Sequence, residues 1–302
     1  MRAVMLAEVG PPEALVAAEI PDPVPGDGQV LIDVEYANVT FVETQVRAGR
    51  PPHPAMLPAL PAVLGNGVGG VVGARRVVAG LGGTGGYAER AVADSSRLIE
   101  VPDDMPMREA VALLSDGRTA LGLMRLARPR PGETVLVEAA AGGVGTLLVQ
   151  LAVGAGARVI AVAGGERKLA LARELGAEVM IDYRDAGWAS RVREQAGTVD
   201  VVFDGVGGAV GLAASELLGS GGRFCPFGMA SGSFAPVSTA LRAAPSSPED
   251  LVALTRAALA HAERGRLRPV IGQEFALERA AAAHAAIENR ETIGKTLLIV
   301  RR

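Results

Sequence analysis

Apolar positions follow two different rhythms along this chain. Up to about residue 106 they come in short runs broken by glycine and proline. Val30-Leu31-Ile32-Asp33-Val34-Glu35-Tyr36 partly alternates, residues 69–78 carry two Val-Val pairs, and residues 87–92 make another run. Period-two runs bounded by turn residues predict half-buried strands, so this part reads as a β-rich, barrel-like domain. Near Met107 the spacing lengthens, and residues 108–114 and 119–126 space their apolar positions as helices do.

From Thr134 to about Met229 apolar runs and helical stretches alternate. The runs are Val135-Leu136-Val137, Val159-Ile160-Ala161-Val162, Val179-Met180-Ile181, Val201-Val202-Phe203 and residues 224–227. They do not alternate internally, as expected of parallel strands covered by helices on both faces. One intervening helix runs through Gln150 to about Val153, and another spans residues 166–175 and stops at Gly176, a normal C-terminal glycine. The predicted fold class is α/β, with a Rossmann-type doubly wound parallel sheet beside the β-rich domain. The C-terminal part predicts a helix over 248–263, a strand region over 267–275, a helix over 277–287 and a closing strand over 295–300. That strand needs a sheet, and the early β domain is the expected host. The alanines of residues 280–286 favour helix. The expected domains are residues 1–120 with 265–302, and 121–264.

Composition narrows the function classes. The 302 residues, 49% hydrophobic and 21% charged, can fill two cores. A net charge of -3 with scattered Lys and Arg offers no basic stripe for nucleic acid. No apolar run of about 18 residues occurs, and the N-terminus lacks a basic segment followed by a long apolar one, so a cytoplasmic protein without membrane association is expected. Cys225 is the single cysteine and lies in an apolar run, where a small buried core residue is expected. The three histidines, His53, His261 and His284, have no ligand partner nearby in sequence and are expected to be solvated or on helix surfaces.

The strongest local motif spans residues 134–151: a buried strand, a glycine turn and a helix. Gly142, Gly143 and Gly145, with Val144 between them, leave a diphosphate free to approach the backbone, and the helix that follows offers unpaired N–H groups and a positive dipole end. Against the G-x-G-x-x-G fingerprint, Ala140 takes the first glycine position, Gly142 the second and Gly145 the third. A dinucleotide site is the reading.

With those elements in order, nearly the whole chain resembles the medium-chain dehydrogenase/reductase superfamily, in its zinc-independent quinone oxidoreductase (zeta-crystallin-like) branch. Residues 40–49 resemble that family's Asn-Phe-x-Asp-x-Tyr-x-Arg-x-Gly segment, residues 116–120 its Gly-x-Thr-Ala turn, and residues 139–145 its Ala-Ala-Gly-Gly-Val-Gly loop. Residues 222–232 resemble its last Rossmann strand, and Gly294-Lys295 its ending. The resemblance implies a GroES-like substrate domain. Where zinc alcohol dehydrogenases carry Gly-His-Glu this chain reads Gly65-Asn66-Gly67, so no metal is expected. Thr40 and Gln45 replace the usual Asn and Tyr, and the segment over residues 70–77 is shorter than the family's, which marks it as locally unusual.

The end of the second strand, Val162-Ala163-Gly164-Gly165, carries no acid to bind an adenosine ribose and repel a 2'-phosphate. Small residues there, with Arg167 and Lys168 just beyond, favour NADPH. The resemblance places Lys168, Tyr183 and Arg290 on the adenosine phosphate. It places Thr119 and Phe227-Gly228 beside the nicotinamide, with core packing as the other reading of Phe227. Thr40 is expected to donate its hydroxyl to substrate or to the nicotinamide amide, and Tyr87 to act as a wall or donor. The plainer readings are a strand residue for Thr40 and a packed barrel aromatic for Tyr87. The implied activity is hydride transfer to a quinone or an enone, both small-molecule substrates. The alternatives are an enoyl reductase acting on acyl thioesters and an NADPH-binding protein without turnover. A homodimer is expected.

Overall fold

The five apolar runs of the second half become one parallel sheet in the computed structural model, which describes residues 1–241 and 247–301. Across the sheet lie Val179–Asp182, Arg158–Ala163, Thr134–Glu138, Val199–Asp204 and Leu218–Pro226, in that order. The order reverses between Thr134–Glu138 and Val199–Asp204. At such a switch point the connections leave on opposite faces and open a crevice at the carboxyl ends of the strands. Val135, Leu136, Val137, Val201, Val202 and Phe203 are fully buried, which explains why their sequence runs do not alternate. The intervening helices are Gly143–Gly154, Glu166–Glu174, Trp188–Ala196 and Gly208–Ser215. Leu136, Ile160, Val162, Val202 and Phe224 pack with Trp188 and Val192 in this core. As expected, Gly176 (φ +101°) follows the end of Glu166–Glu174, and the buried Cys225 is a core residue.

This sheet belongs to a unit made of the described residues from Asp116 to Ser247 together with Arg264–Arg268. The other unit takes Met1–Ser115, Pro248–Glu263 and the described residues from Pro269 on. Its larger sheet centres on Gln29–Val39, which pairs antiparallel with Gly67–Val72, Arg90–Asp94 and Lys295–Ile299. The closing strand thus joins the early β domain as expected, and Ile271–Ala276 lies parallel on its far side. A smaller sheet joins Arg2–Leu6 to Leu15–Glu19 and Ala62–Val63. Val4, Leu6, Ile32, Val34, Val68, Val77, Tyr87 and Leu298 are among the residues of the shared core.

Three expectations change, and one open segment takes a definite form. The two helical stretches after Met107 are one continuous helix, Met107–Ala127, and the boundary between the units falls inside it at Ser115, ahead of residue 120. The helix Pro248–Glu263 belongs with the β unit rather than with the parallel sheet: Leu254, Thr255, Ala258 and Leu259 are buried, and the Thr255 hydroxyl reaches the Leu114 carbonyl at 3.3 Å. The helix expected near Gln150 begins a full two turns earlier, at Gly143. The shortened segment over residues 70–77 is a tight hairpin in which Val72 pairs with Arg75 across Gly73, whose φ of +60° suits glycine.

Candidate functional site

The glycine turn is built by close backbone packing. Thr134–Glu138 runs into Ala139, which takes a left-handed φ of +48° in place of the glycine such a turn usually carries. The Ala139 carbonyl accepts the Gly142 N–H at 2.8 Å, and Gly142 then caps Gly143–Gly154 without any side-chain capping bond. The first N–H groups of a helix have no intrahelical acceptor, and no side chain answers them here. They are therefore available to an anion at Gly143, Val144 and Gly145. A Cβ on Gly145 would stand 2.1 Å from the Ala139 oxygen and 2.9 Å from the Ala140 Cα, so only glycine lets helix and turn meet. Ala140 is fully buried beneath the turn, its N–H directed at the Val162 carbonyl at 3.3 Å.

One strand over, Arg158–Ala163 ends at Gly164 and Gly165, and Gly165 (φ +98°) caps Glu166–Glu174. Two side chains from beyond Val179–Asp182 fold over these glycines. A Cβ on Gly164 would lie 3.2 Å from the Tyr183 hydroxyl, and one on Gly165 would lie 3.2 Å from an Arg184 guanidinium nitrogen. Asp182 fixes the arrangement by accepting the Gly165 N–H at 2.9 Å and the Arg184 guanidinium at 2.6 Å. Those bonds from Arg184 hold the Asp182 carboxyl down at about 2, so it is ionised at any working pH. Arg167 and Lys168 occupy the first turn of the helix beside it.

At the switch point Asp204 organises a second turn. Its Oδ1 accepts the N–H groups of Val206 and Gly207 at 2.9 and 2.6 Å, and its carbonyl accepts those of Phe227 and Gly228 at 2.8 and 3.2 Å. Glycine is required where the chains cross: a Cβ on Gly205 would meet the Phe227 ring at 2.6 Å, and one on Gly228 the Gly205 oxygen at 2.5 Å.

The β unit holds a separate buried polar cluster. Thr40 ends the long strand and caps Phe41–Arg47 through a capping box. Its hydroxyl accepts from the Glu43 N–H at 3.4 Å, and the Glu43 carboxylate accepts the Thr40 N–H at 2.6 Å. The same carboxylate accepts the Asn66 N–H at 2.6 Å and the Tyr87 hydroxyl at 3.0 Å. Tyr87 in turn meets His284 Nε2 at 3.0 Å, with the two rings edge to face at 5.7 Å. Since the one phenolic proton goes to Glu43, His284 must donate from Nε2, which leaves its Nδ1 as an acceptor without a partner. Burial raises the Glu43 carboxyl, against the pull of the Thr40 and Asn66 N–H groups and of Lys295. Burial, with the Glu43 charge, lifts the Tyr87 hydroxyl well above its usual range.

Residues 143–249 match the zinc-binding dehydrogenase family. The chain is 32% identical to the quinone oxidoreductase of Pseudomonas aeruginosa, with 98% of each chain covered, and 31% identical to a 2-haloacrylate reductase of a Burkholderia species, again with 98% of each covered. The crystal structures of the Thermus thermophilus quinone oxidoreductase and its complex with NADPH superpose with a TM-score of 0.87 at 32% identity, covering 99% of this chain and all of that one. The chain belongs to the quinone oxidoreductase branch of the medium-chain dehydrogenase/reductase superfamily.

Despite the name of the matched family, no three His, Cys, Asp or Glu side chains converge on a metal-holding cluster among the described residues. Of the expected site residues of this quinone oxidoreductase relative, the parallel-sheet unit contains Thr119, Ala140, Gly142, Gly143, Val144, Gly145, Gly164, Gly165, Arg167, Lys168, Tyr183, Phe227 and Gly228. Thr40, Tyr87 and Arg290 lie in the β unit, with Arg290 exposed in a left-handed turn after Ala280–Glu288. Thr40 is a helix cap rather than a mid-strand residue, and Tyr87 has no exposed surface.

His284 overturns the expectation of a surface histidine, since it is fully buried. Burial, with the nearby Arg47 charge, lowers its pKa to about 3. The unfolded chain therefore binds a proton here before the folded one does. This contribution to stability is complete above about pH 6.5 and is lost as pH falls toward 3, at about 1.4 kcal/mol per pH unit. Urea midpoints between pH 7.5 and 4.5 should fall less for His284→Gln, whose amide can still donate to Tyr87, than for the wild type. Equal slopes would remove His284 from the acid limb.

Sequence reasoning also passed over Glu43 and Arg184. The Thr-x-x-Glu spacing of residues 40–43 is a legible capping box. Arg184 carries no signal until Asp182 anchors it.

Proposed function

We propose that this protein is a zinc-independent, NADPH-dependent reductase that delivers hydride to a quinone or to an activated carbon–carbon double bond such as an enone. The observation that carries the reading is the uncapped start of Gly143–Gly154 at the first turn of the parallel sheet, beside a second glycine pair covered by Tyr183 and Arg184. The diphosphate would rest on the N–H groups of Gly143, Val144 and Gly145. The 2'-phosphate would lie near Gly164 and Gly165, bound by Lys168, Arg167, Tyr183 and Arg184. The Thermus quinone oxidoreductase bound to NADPH supports the cofactor, and the quinone and 2-haloacrylate reductases support the acceptor class.

NADPH, once bound, supplies the hydride, so the chain's own task is to orient and to exclude water. Phe227 and Gly228, locked onto Asp204 and Gly205, would form one wall of the nicotinamide site, with Thr119 beside it. The Thr40 hydroxyl keeps a proton to donate while its oxygen caps the helix, which suits a polar contact to a carbonyl oxygen. Neither acceptor needs a strong acid: the quinol oxygen or the enolate carbon can take its proton from water. The reading includes a cytoplasmic homodimer. Among the described residues, no helix is long and apolar enough to cross a membrane.

Initial rates of NADPH and NADH oxidation on parallel panels of quinones, enones and enoyl thioesters test this reading. Turnover of quinones or enones with NADPH preferred is expected. Turnover confined to enoyl thioesters, or tight binding without turnover, would replace it. Separately, Lys168→Ala and Arg184→Ala should each weaken NADPH binding about tenfold, as loss of a charge-assisted bond to phosphate does, while NADH affinity moves less than about twofold. Fluorescence titration of the bound nucleotide measures both, and equal losses for the two nucleotides would take these residues off the 2'-phosphate.

A further inference from the structure

Glu138 and Asp204 are the last residues of the two strands that flank the switch point. The strands run parallel with Val137 opposite Phe203, so the two side chains leave the same edge of the sheet as neighbours. Both are fully buried. Asp204 Oδ1 is satisfied by the N–H groups of Val206 and Gly207. Its Oδ2 and both Glu138 oxygens have no hydrogen-bond partner as the side chains stand. Gly211, from Gly208–Ser215, packs so tightly on Asp204 that a Cβ there would lie 2.5 Å from its Oδ2.

Two carboxylates side by side in a dry site cannot both ionise, since each would desolvate a charge and repel the other. Glu138 feels burial first and then Asp204, both raising its carboxyl well above the usual range, with only the Val206 N–H acting in the opposite sense. Asp204, which already accepts two backbone N–H groups, is the better place for the charge. Each residue also leads directly into a turn. Glu138 precedes Ala139, whose carbonyl sets the glycine turn, and Asp204 precedes Gly205, on which Phe227 rests.

We infer that Glu138 and Asp204 share one proton, and that this neutral-acid-to-carboxylate bond, Glu138 donating to Asp204 Oδ2, ties the glycine turn at residues 139–145 to the turn at residues 204–208. Both are positioning residues. Neither is assigned a contact with the cofactor or the substrate. The bond holds the two turns at a fixed spacing, and the shared proton leaves a single negative charge beneath a turn that must receive a diphosphate. The consequence for nucleotide affinity rests on the cofactor reading above; the shared proton does not.

Infrared difference spectroscopy of the protein without nucleotide, wild type minus Glu138→Gln at neutral pH, should show the carbonyl stretch of a protonated carboxylic acid. A difference spectrum without that band overturns the inference, whatever the protein binds. The second arm is nucleotide affinity. Glu138→Gln, whose amide donates where the acid did, should stay within about twofold of wild type for NADPH, while Glu138→Ala, which strands the Asp204 charge, should weaken binding at least about tenfold. A Gln variant as weak as the Ala variant would also overturn it. If Glu138→Ala fails to fold, the infrared band and the Gln variant still decide. Absence of NADPH binding by the wild type would count against the cofactor reading alone.

Discussion

Replacing Gly145 with alanine is expected to cost this protein both its dinucleotide affinity and a large part of its stability. The added methyl would sit 2.1 Å from the Ala139 oxygen and 2.9 Å from the Ala140 Cα. Both obstacles are backbone, so no side-chain rotation relieves them. Either the helix Gly143–Gly154 retreats from the strand or the turn at residue 139 is displaced, and both movements carry the N–H groups of Gly143 and Val144 away from a diphosphate. Overpacking of this kind costs about 1–3 kcal/mol, and backbone contacts place Gly145→Ala at the upper end. NADPH affinity should fall by about two orders of magnitude, since those N–H groups themselves make up the proposed anion site. Gly154→Ala, at the far end of the same helix where a Cβ meets nothing within 4 Å, serves as the control and should leave both quantities close to wild type. Nucleotide titration and thermal unfolding of the two variants check the contrast. A Gly145→Ala variant that binds NADPH like wild type would mean that the turn does not hold the diphosphate.

Much of this geometry was legible in the sequence because it is local. A buried strand, a glycine turn and a helix follow one another within residues 134–151, and the five apolar runs of the parallel sheet announce their burial by not alternating. Gly176 stopping a helix and Lys295–Ile299 needing a sheet are also local signals. The residues that escaped are those whose setting is made by distant segments. Glu138 carries no signal of its own as the last residue of a buried strand, and its partner comes from the fourth strand of the sheet, which lies beside the first and brings Asp204 with it. His284 sits in a run of alanines, which gives no apolar stripe to show which face turns inward. The side chain it meets, Tyr87, is 197 residues away. Arg184 is one arginine among many until Asp182 turns it over Gly165. The left-handed residue of the glycine turn is Ala139, one place ahead of the position that the fingerprint would give it, because the turn here is held by backbone bonds rather than by a first glycine.

The largest effect in the β unit is expected from Glu43, which the sequence reading passed over. One carboxylate accepts hydrogen bonds from three places: the Thr40 N–H at the end of the long strand, the Asn66 N–H in the turn before Gly67–Val72, and the Tyr87 hydroxyl. Glu43→Ala takes the acceptor from two partly buried N–H groups and from the buried Tyr87 hydroxyl, and removes the negative charge that faces Lys295, itself only 4% exposed. An unsatisfied buried donor costs about 1–3 kcal/mol, and partial entry of water should bring the total to about 3–5 kcal/mol. Glu43→Gln keeps one acceptor but points an amide N–H at a donor, so an intermediate loss is expected. Tyr87→Phe removes a single hydroxyl and leaves His284 Nε2 unpaired, for a loss of about 1–2 kcal/mol. Urea unfolding at neutral pH should therefore rank the variants with Glu43→Ala least stable, then Glu43→Gln, then Tyr87→Phe. The same carboxylate sets the backbone on either side of the Thr40 hydroxyl, so surviving Glu43→Gln enzyme should show a raised KM for the acceptor while its affinity for NADPH, for which the glycine turns of the other unit are proposed, stays close to wild type. If all three variants fall within about 1 kcal/mol of wild type, the Thr40, Asn66 and Tyr87 donors find other partners and the cluster does not anchor the β unit.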